Sequence, residues 1–330
     1  MITQPRTLAV IPALKLDKQS AVVASIVGFG ILAGAAFVFV RILVRELTPL
    51  QLVGARTATG AFAVMAFVSL SRASFRVSLL WTPGVILLAL LDSVIPYLLI
   101  AYGQAHVTSA TTAILVATMP LFTTLFASVA GQRQAPHSTA VAGVLAGFGG
   151  VAILVGPKAL TADTSATPSL IAILIAASCY AAGTVHAKNL LKHDTPLALT
   201  AAKLVVSAAL VLPIALTVDG GGNFTAMSSG GYASLVALGF GSTGLARCVY
   251  LWAVSESGSV RASLVTYIAP VAAIILGWVI LHETPALREL AGAVLVVGGV
   301  FWVIGNPAAV VRKLAKTFLA GHLSAESAPP

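Results

Sequence analysis

The chain has 330 residues, of which 58% are hydrophobic and only 9% charged, and its formal net charge is +9. Average soluble domains carry roughly 25% charged residues, so the composition excludes an ordinary soluble domain and fits an integral membrane protein with many spans. The basic residues fall mostly between apolar runs, which reads as membrane orientation and argues against nucleic-acid binding.

A spanning helix needs about 20 mostly apolar residues. Segment 1–19, with Arg6, Lys15 and Lys18, reads as a cytoplasmic lead-in; the apolar run after it is long enough to span, so it is no cleaved leader. Length and punctuation then predict ten spans, over 20–40, 49–70, 79–102, 109–130, 138–156, 168–187, 196–217, 230–253, 262–281 and 287–306. The segment 157–167 divides them into a first group, 20–156, and a second, 168–306. Residues 307–330 form a small, polar, partly disordered tail.

The two groups repeat each other. Arg41-Ile42-Leu43-Val44-Arg45, Thr48-Pro49-Leu50 and Ala55-Arg56 return as Lys188-Asn189-Leu190-Leu191-Lys192, Thr195-Pro196-Leu197 and Ala202-Lys203. Gln134-Ala135-Pro136, Ala142-Gly143, Gly149-Gly150-Val151 and Gly156 return as Glu283-Thr284-Pro285, Ala291-Gly292, Gly298-Gly299-Val300 and Gly305. Because each group has five spans, the second enters the membrane from the opposite side. The expected fold is therefore all-α, with ten transmembrane helices as two inverted five-helix repeats, an arrangement that puts a transporter's site between the halves near the midplane. With the N-terminus inside, only Arg41, Arg45, Lys158 and Arg288 fall in outer loops and most other Lys and Arg residues fall inside, so both termini are expected in the cytoplasm.

Charges inside spans cost about 2.5–3.5 kcal/mol each on insertion scales and usually face a cavity or a partner. Four stand out. Arg56 and Lys203 are repeat mates, each roughly 10 Å into the membrane from opposite faces. They read either as cationic gates or anion contacts, or as long side chains snorkelling back to an interface. Asp92 lies mid-span and is too short to snorkel; it reads as a proton-coupling or cation-contact site, or as half of a structural ion pair. Arg247 lies five residues beyond Ser242, the repeat mate of Asp92, so an Asp92–Arg247 pair across the halves is expected, either remade during transport or fixed. Three intramembrane cations against one carboxylate suggest a substrate with a negative group.

Tyr97, Tyr180 and Tyr267 are candidates to line an aromatic cavity, with Tyr250 also in reach, whereas Tyr102 and Trp252 read as interface anchors. Pro96, Pro120 and Pro270 are helix-break candidates, the last two as repeat mates. The spacing of Gly30 with Gly34 and of Gly143 with Gly147 suits close helix packing, within the monomer or at a homodimer face. Cys179 and Cys248 read as small packing residues. No phosphate-binding loop, zinc spacing or nucleophile elbow occurs, so no enzyme activity, cofactor or metal is expected.

Gly258-Ser259-Val260-Arg261-Ala262-Ser263-Leu264-Val265-Thr266-Tyr267-Ile268-Ala269-Pro270, followed by Gly277, Glu283 and Gly292, and Ala113-Ile114-Leu115-Val116-Ala117-Thr118-Met119-Pro120-Leu121-Phe122-Thr123 in the first half, resemble the paired signatures of EamA-type transporters of the drug/metabolite transporter superfamily. The resemblance covers roughly residues 20–306. It implies alternating-access movement of small metabolites, such as amino acids or related compounds, in a bacterial inner membrane; the intramembrane cations add organic anions as expected cargo. The chain departs from the pattern at Gln134, where the family usually has glutamate and where the second half keeps Glu283, and at the charged Arg247. Two other readings remain open at this level: a proton-coupled drug exporter using Asp92, and a membrane scaffold that transports nothing.

Overall fold

The fold comes from a computed structural model that describes residues 18–71, 73–132, 166–263, 268–287 and 290–295, with positions 149 and 298. The chain ends, the expected span 138–156, most of the linker and of the span 287–306, and Tyr267 lie outside the described residues. What is described is helical throughout, without strands. α1 covers Lys18–Leu43 and α2 Pro49–Leu70. A 3-10 turn at Val77–Trp81 leads into α3, Pro83–Gln104. α4 covers Ser109–Val129, α5 Ala166–Leu190 and α6 Pro196–Val218. α7 runs from Ser229 to Ser257, between the short helices Gly222–Thr225 and Ser259–Ser263, and α8 covers Ile268–Leu281.

Helices α2 to α7 are long and apolar enough to cross a membrane; Gly28–Leu43 of α1 and α8 are shorter apolar helices. Their starts follow from local chemistry. The Thr48 hydroxyl accepts a hydrogen bond from the Gln51 amide while Gln51 Oε1 accepts one from the Thr48 amide, with Pro49 at the first helical position. Thr195 and Pro196 open α6 in the same way, with Ala198 donating to the threonine hydroxyl. Thr82 caps α3 just before Pro83, so the third span begins there and not at residue 79, and the preceding residues form a separate 3-10 turn.

Exposed apolar side chains such as Phe62, Leu125, Ile175 and Trp278 cover the outside, as a lipid-facing surface requires. Lipid supplies no hydrophobic drive between helices, so close packing depends on small residues. α1 packs along α8, where a β-carbon on Gly34 would come within 2.5 Å of Ala272 Cβ; Gly34 is thus spent inside the monomer and not on a dimer face. α2 packs along α6 and α3 along α5.

Two helices are irregular at their middles. α3 changes to π-helix over Leu90–Val94, and α7 does so over Ala237–Leu245. Such insertions re-aim side chains and cluster at functional sites. Pro96 follows the first insertion, as the second residue of the α-helical stretch Ile95–Gln104. Pro120 is the second residue of Met119–Val129, just after α4 breaks at residues 117 and 118. In α3 and α4 the irregularity precedes a proline because the ring obstructs the preceding turn and the missing N–H removes a bond to it. Pro270 sits in the first turn of α8.

Candidate functional site

The π segment of α3 carries Asp92 and Ser93 into the bundle, both essentially unexposed. Helix α5 can approach them because it presents Gly183, where a β-carbon would lie 3.1 Å from Asp92 Cβ. Asp92 holds two cations. Lys203 of α6 donates to Oδ2, and Arg247 of α7 donates to Oδ1 at 3.2 Å. Lys203 is fully buried and its ammonium ends on Asp92, so it does not snorkel to an interface. A carboxylate with one cation on each oxygen is the arrangement that makes burial of such charges tolerable.

Arg56 of α2 is 5% exposed. Its Nε donates to Thr243 Oγ1 at 2.8 Å, and its guanidinium lies over the Tyr97 ring at 3.6 Å. Gly60, one turn on, leaves room for Thr243, whose Cγ2 would be 2.9 Å from a β-carbon there. Arg247 faces Tyr180 at 4.7 Å, Tyr97 at 5.8 Å and Tyr250 at 5.9 Å. Tyr250 stacks on Phe29 of α1 at 5.0 Å, and its hydroxyl meets Thr184 Oγ1 at 2.9 Å. Desolvated cation–π contacts of this kind contribute on the order of 2 kcal/mol each. Tyr97 Oη and Ser93 Oγ are buried with no hydrogen-bond partner among the described residues.

Several of these groups border a small, partly open cleft. Its wall includes Phe29, Phe37, Arg56, Tyr180, Arg247 and Tyr250. Asp92 and Lys203 stand behind Arg247, outside that wall. Arg56, Asp92 and Tyr97 come from the first group of spans, and Tyr180, Lys203 and Arg247 from the second.

The structure therefore brings together six of the candidates read from the sequence, leaving Tyr267 outside the described residues. Sequence reasoning missed Thr243, Phe29 and Ser93. Thr243 and Ser93 each adjoin a residue already singled out, Ser242 and Asp92; Phe29 carries no signal beyond aromatic character. Tyr102 lies away from the cleft, 44% exposed, with its ring 5.9 Å from that of His106. No cluster of three His, Cys, Asp or Glu side chains gathers among the described residues.

Corresponding bonds close the two ends of the bundle. At one end Arg41 donates to the carbonyls of Gln104 and Ala105. Beside it, Glu283 accepts from the Ser109 amide and hydroxyl and faces Arg41 Nε at 3.5 Å. At the other end Lys188 donates to the carbonyls of Val254 and Ser255, and Ser259 donates to Gln132. Gln134 lies outside the described residues; Gln132 makes the contact corresponding to that of Glu283, so the second end is closed without a carboxylate at this point.

An apolar-surfaced helical bundle with a charged, aromatic cleft between its two groups of spans has the build of a multi-pass membrane transport protein. The chain belongs to the EamA-like transporter family, whose family model matches residues 20–156 and again residues 167–305. It is 25% identical over 286 residues to the "Uncharacterized transporter YoaV" of Bacillus subtilis (strain 168), covering 85% of this chain and 95% of that protein. It is 23% identical over 275 residues to an "Uncharacterized transporter" of Archaeoglobus fulgidus, covering 82% and 94%. A solved crystal structure superposes with a TM-score of 0.64 at 20% identity, covering 87% of this chain and 96% of the other, a likeness of fold.

Proposed function

We propose that this protein is a secondary transporter of small organic anions, amino acids among them, working by alternating access of two inverted five-helix halves in a bacterial inner membrane. One observation carries the reading. Three buried cations, Arg56, Lys203 and Arg247, face one buried carboxylate, Asp92, and both guanidiniums border the cleft. A low-dielectric site with excess positive charge attracts an anion and rejects a cation. The groups come from both halves, so relative movement of the halves remakes the site, including the Asp92–Arg247 pair. The distribution of Lys and Arg supports cytoplasmic termini.

Proton-coupled drug export through Asp92 has less support, because Asp92 is occupied by two cations and stands outside the cleft wall. The test is counterflow in proteoliposomes with labelled anionic, zwitterionic and cationic metabolites. Saturable exchange of anions is expected. Exchange confined to cations or to drug-like compounds would overturn the reading.

A further inference from the structure

We infer that the substrate carries two negative charges, as a short dicarboxylate or a phosphate monoester does; the inference rests on the anion-carrier reading above. It starts from charge balance. Asp92 neutralises one of its two cations, and Arg56 has no carboxylate partner among the described residues. Two positive charges are left unbalanced in a buried region.

Nothing else among the described residues balances them. The other Asp and Glu residues fall in connecting segments or within the first or last turn of a span. At the membrane faces, Glu46, Asp219 and Glu283 are engaged by Ser228, Thr48 and Ser109. An unpaired charge in a low-dielectric interior is costly. A monoanion leaves one such charge in the loaded carrier, whereas a dianion leaves none.

Two guanidiniums, those of Arg56 and Arg247, lie against one ring, that of Tyr97. Arg56 bonds Thr243 through Nε alone, so its two terminal nitrogens remain for a ligand at the cleft wall. Arg247 spends Nη1 on Asp92 and keeps its other edge. The two guanidinium carbons lie 3.6 and 5.8 Å from the centre of the Tyr97 ring, so both stand close enough to meet one short molecule. Guanidinium forks bind carboxylate or phosphate through paired hydrogen bonds. Tyr97, whose ring both guanidiniums approach, keeps an Oη that is buried without a partner among the described residues.

The test is counterflow by the wild-type chain with a matched set: a four-carbon dicarboxylate, glycerol phosphate, a four-carbon monocarboxylate and a zwitterionic amino acid. Half-saturation by at least one dianion is expected at a concentration at least tenfold below that of the monocarboxylate, and which dianion wins identifies the source of the charge. In Arg56→Gln, with its folding checked by thermal unfolding, the tenfold gap should shrink to threefold or less. A monocarboxylate exchanged as well as both dianions would overturn the inference and leave the anion-carrier reading standing. Exchange of the zwitterion alone would overturn the inference and leave amino-acid transport standing, whereas exchange of none of the four by stable protein would overturn both.

Discussion

Asp92→Asn is the sharpest perturbation available. It removes the carboxylate shared by Lys203 and Arg247 and leaves two cations in a site where Lys203 is fully buried. At the 3.2 Å of the Arg247 contact, one unit pair at an effective dielectric of 20 interacts by about 5 kcal/mol. Breaking a buried pair by removing one partner costs about 3–5 kcal/mol in practice. We therefore expect Asp92→Asn to lose about 3–5 kcal/mol, read by thermal or denaturant unfolding of the purified protein in detergent. Lys203→Met removes a surplus cation and leaves Asp92 paired with Arg247, so it should stay within about 1 kcal/mol of the parent. The double variant should be more stable than Asp92→Asn alone, with a coupling energy of at least about 1 kcal/mol. An Asp92→Asn protein within about 1 kcal/mol of the parent, with effects that simply add in the double variant, would refute the shared-carboxylate arrangement.

Other expected outcomes follow from neighbouring contacts. Arg56→Lys keeps the charge but loses the planar fork and most of the stacking on Tyr97, about 1–2 kcal/mol, so the half-saturation concentration in counterflow should rise roughly tenfold; an unchanged value would remove Arg56 from the site. Gly183→Val pushes a side chain into Asp92 at 3.1 Å and should destabilise by about 1–3 kcal/mol on thermal unfolding, whereas native stability would deny the close approach of α5 and α3. Glu283→Gln keeps an acceptor for Ser109 and should cost under about 1 kcal/mol, while Glu283→Ala strands the Ser109 amide and should cost about 1–3 kcal/mol; equal losses would show that the Ser109 contact contributes nothing.

Much of the helix layout was legible because its signals are local. Pro49 and Leu70 bound the second span as apolar length and a Thr-Pro start predict, and the same dipeptide at Thr195-Pro196 opens α6. The Asp92–Arg247 contact was legible through the repeat, which sets Ser242 opposite Asp92 and Arg247 five residues further on. Lys203 was not placed by its depth, because a four-carbon side chain at that level reaches an interface or a neighbour equally well, and only packing decides between them. The π segments gave no length signal, since an inserted residue hides inside an apolar run; Pro96 marks the end of one, and Gly239, Gly241 and Gly244 crowd the other. Pro213 lies inside α6 without having marked a break in the sequence reading. The two end networks escaped notice because their acceptors are main-chain carbonyls, at Gln104, Ala105, Val254 and Ser255, which residue identity does not advertise.

The measurement that bears most directly on the central claim is counterflow of a labelled organic anion by wild-type protein and Arg56→Gln, each reconstituted at equal density and shown to be folded. The account predicts saturable exchange by the wild type and a half-saturation concentration at least tenfold higher in the variant. Identical exchange by the two proteins, or exchange restricted to cations, would contradict it.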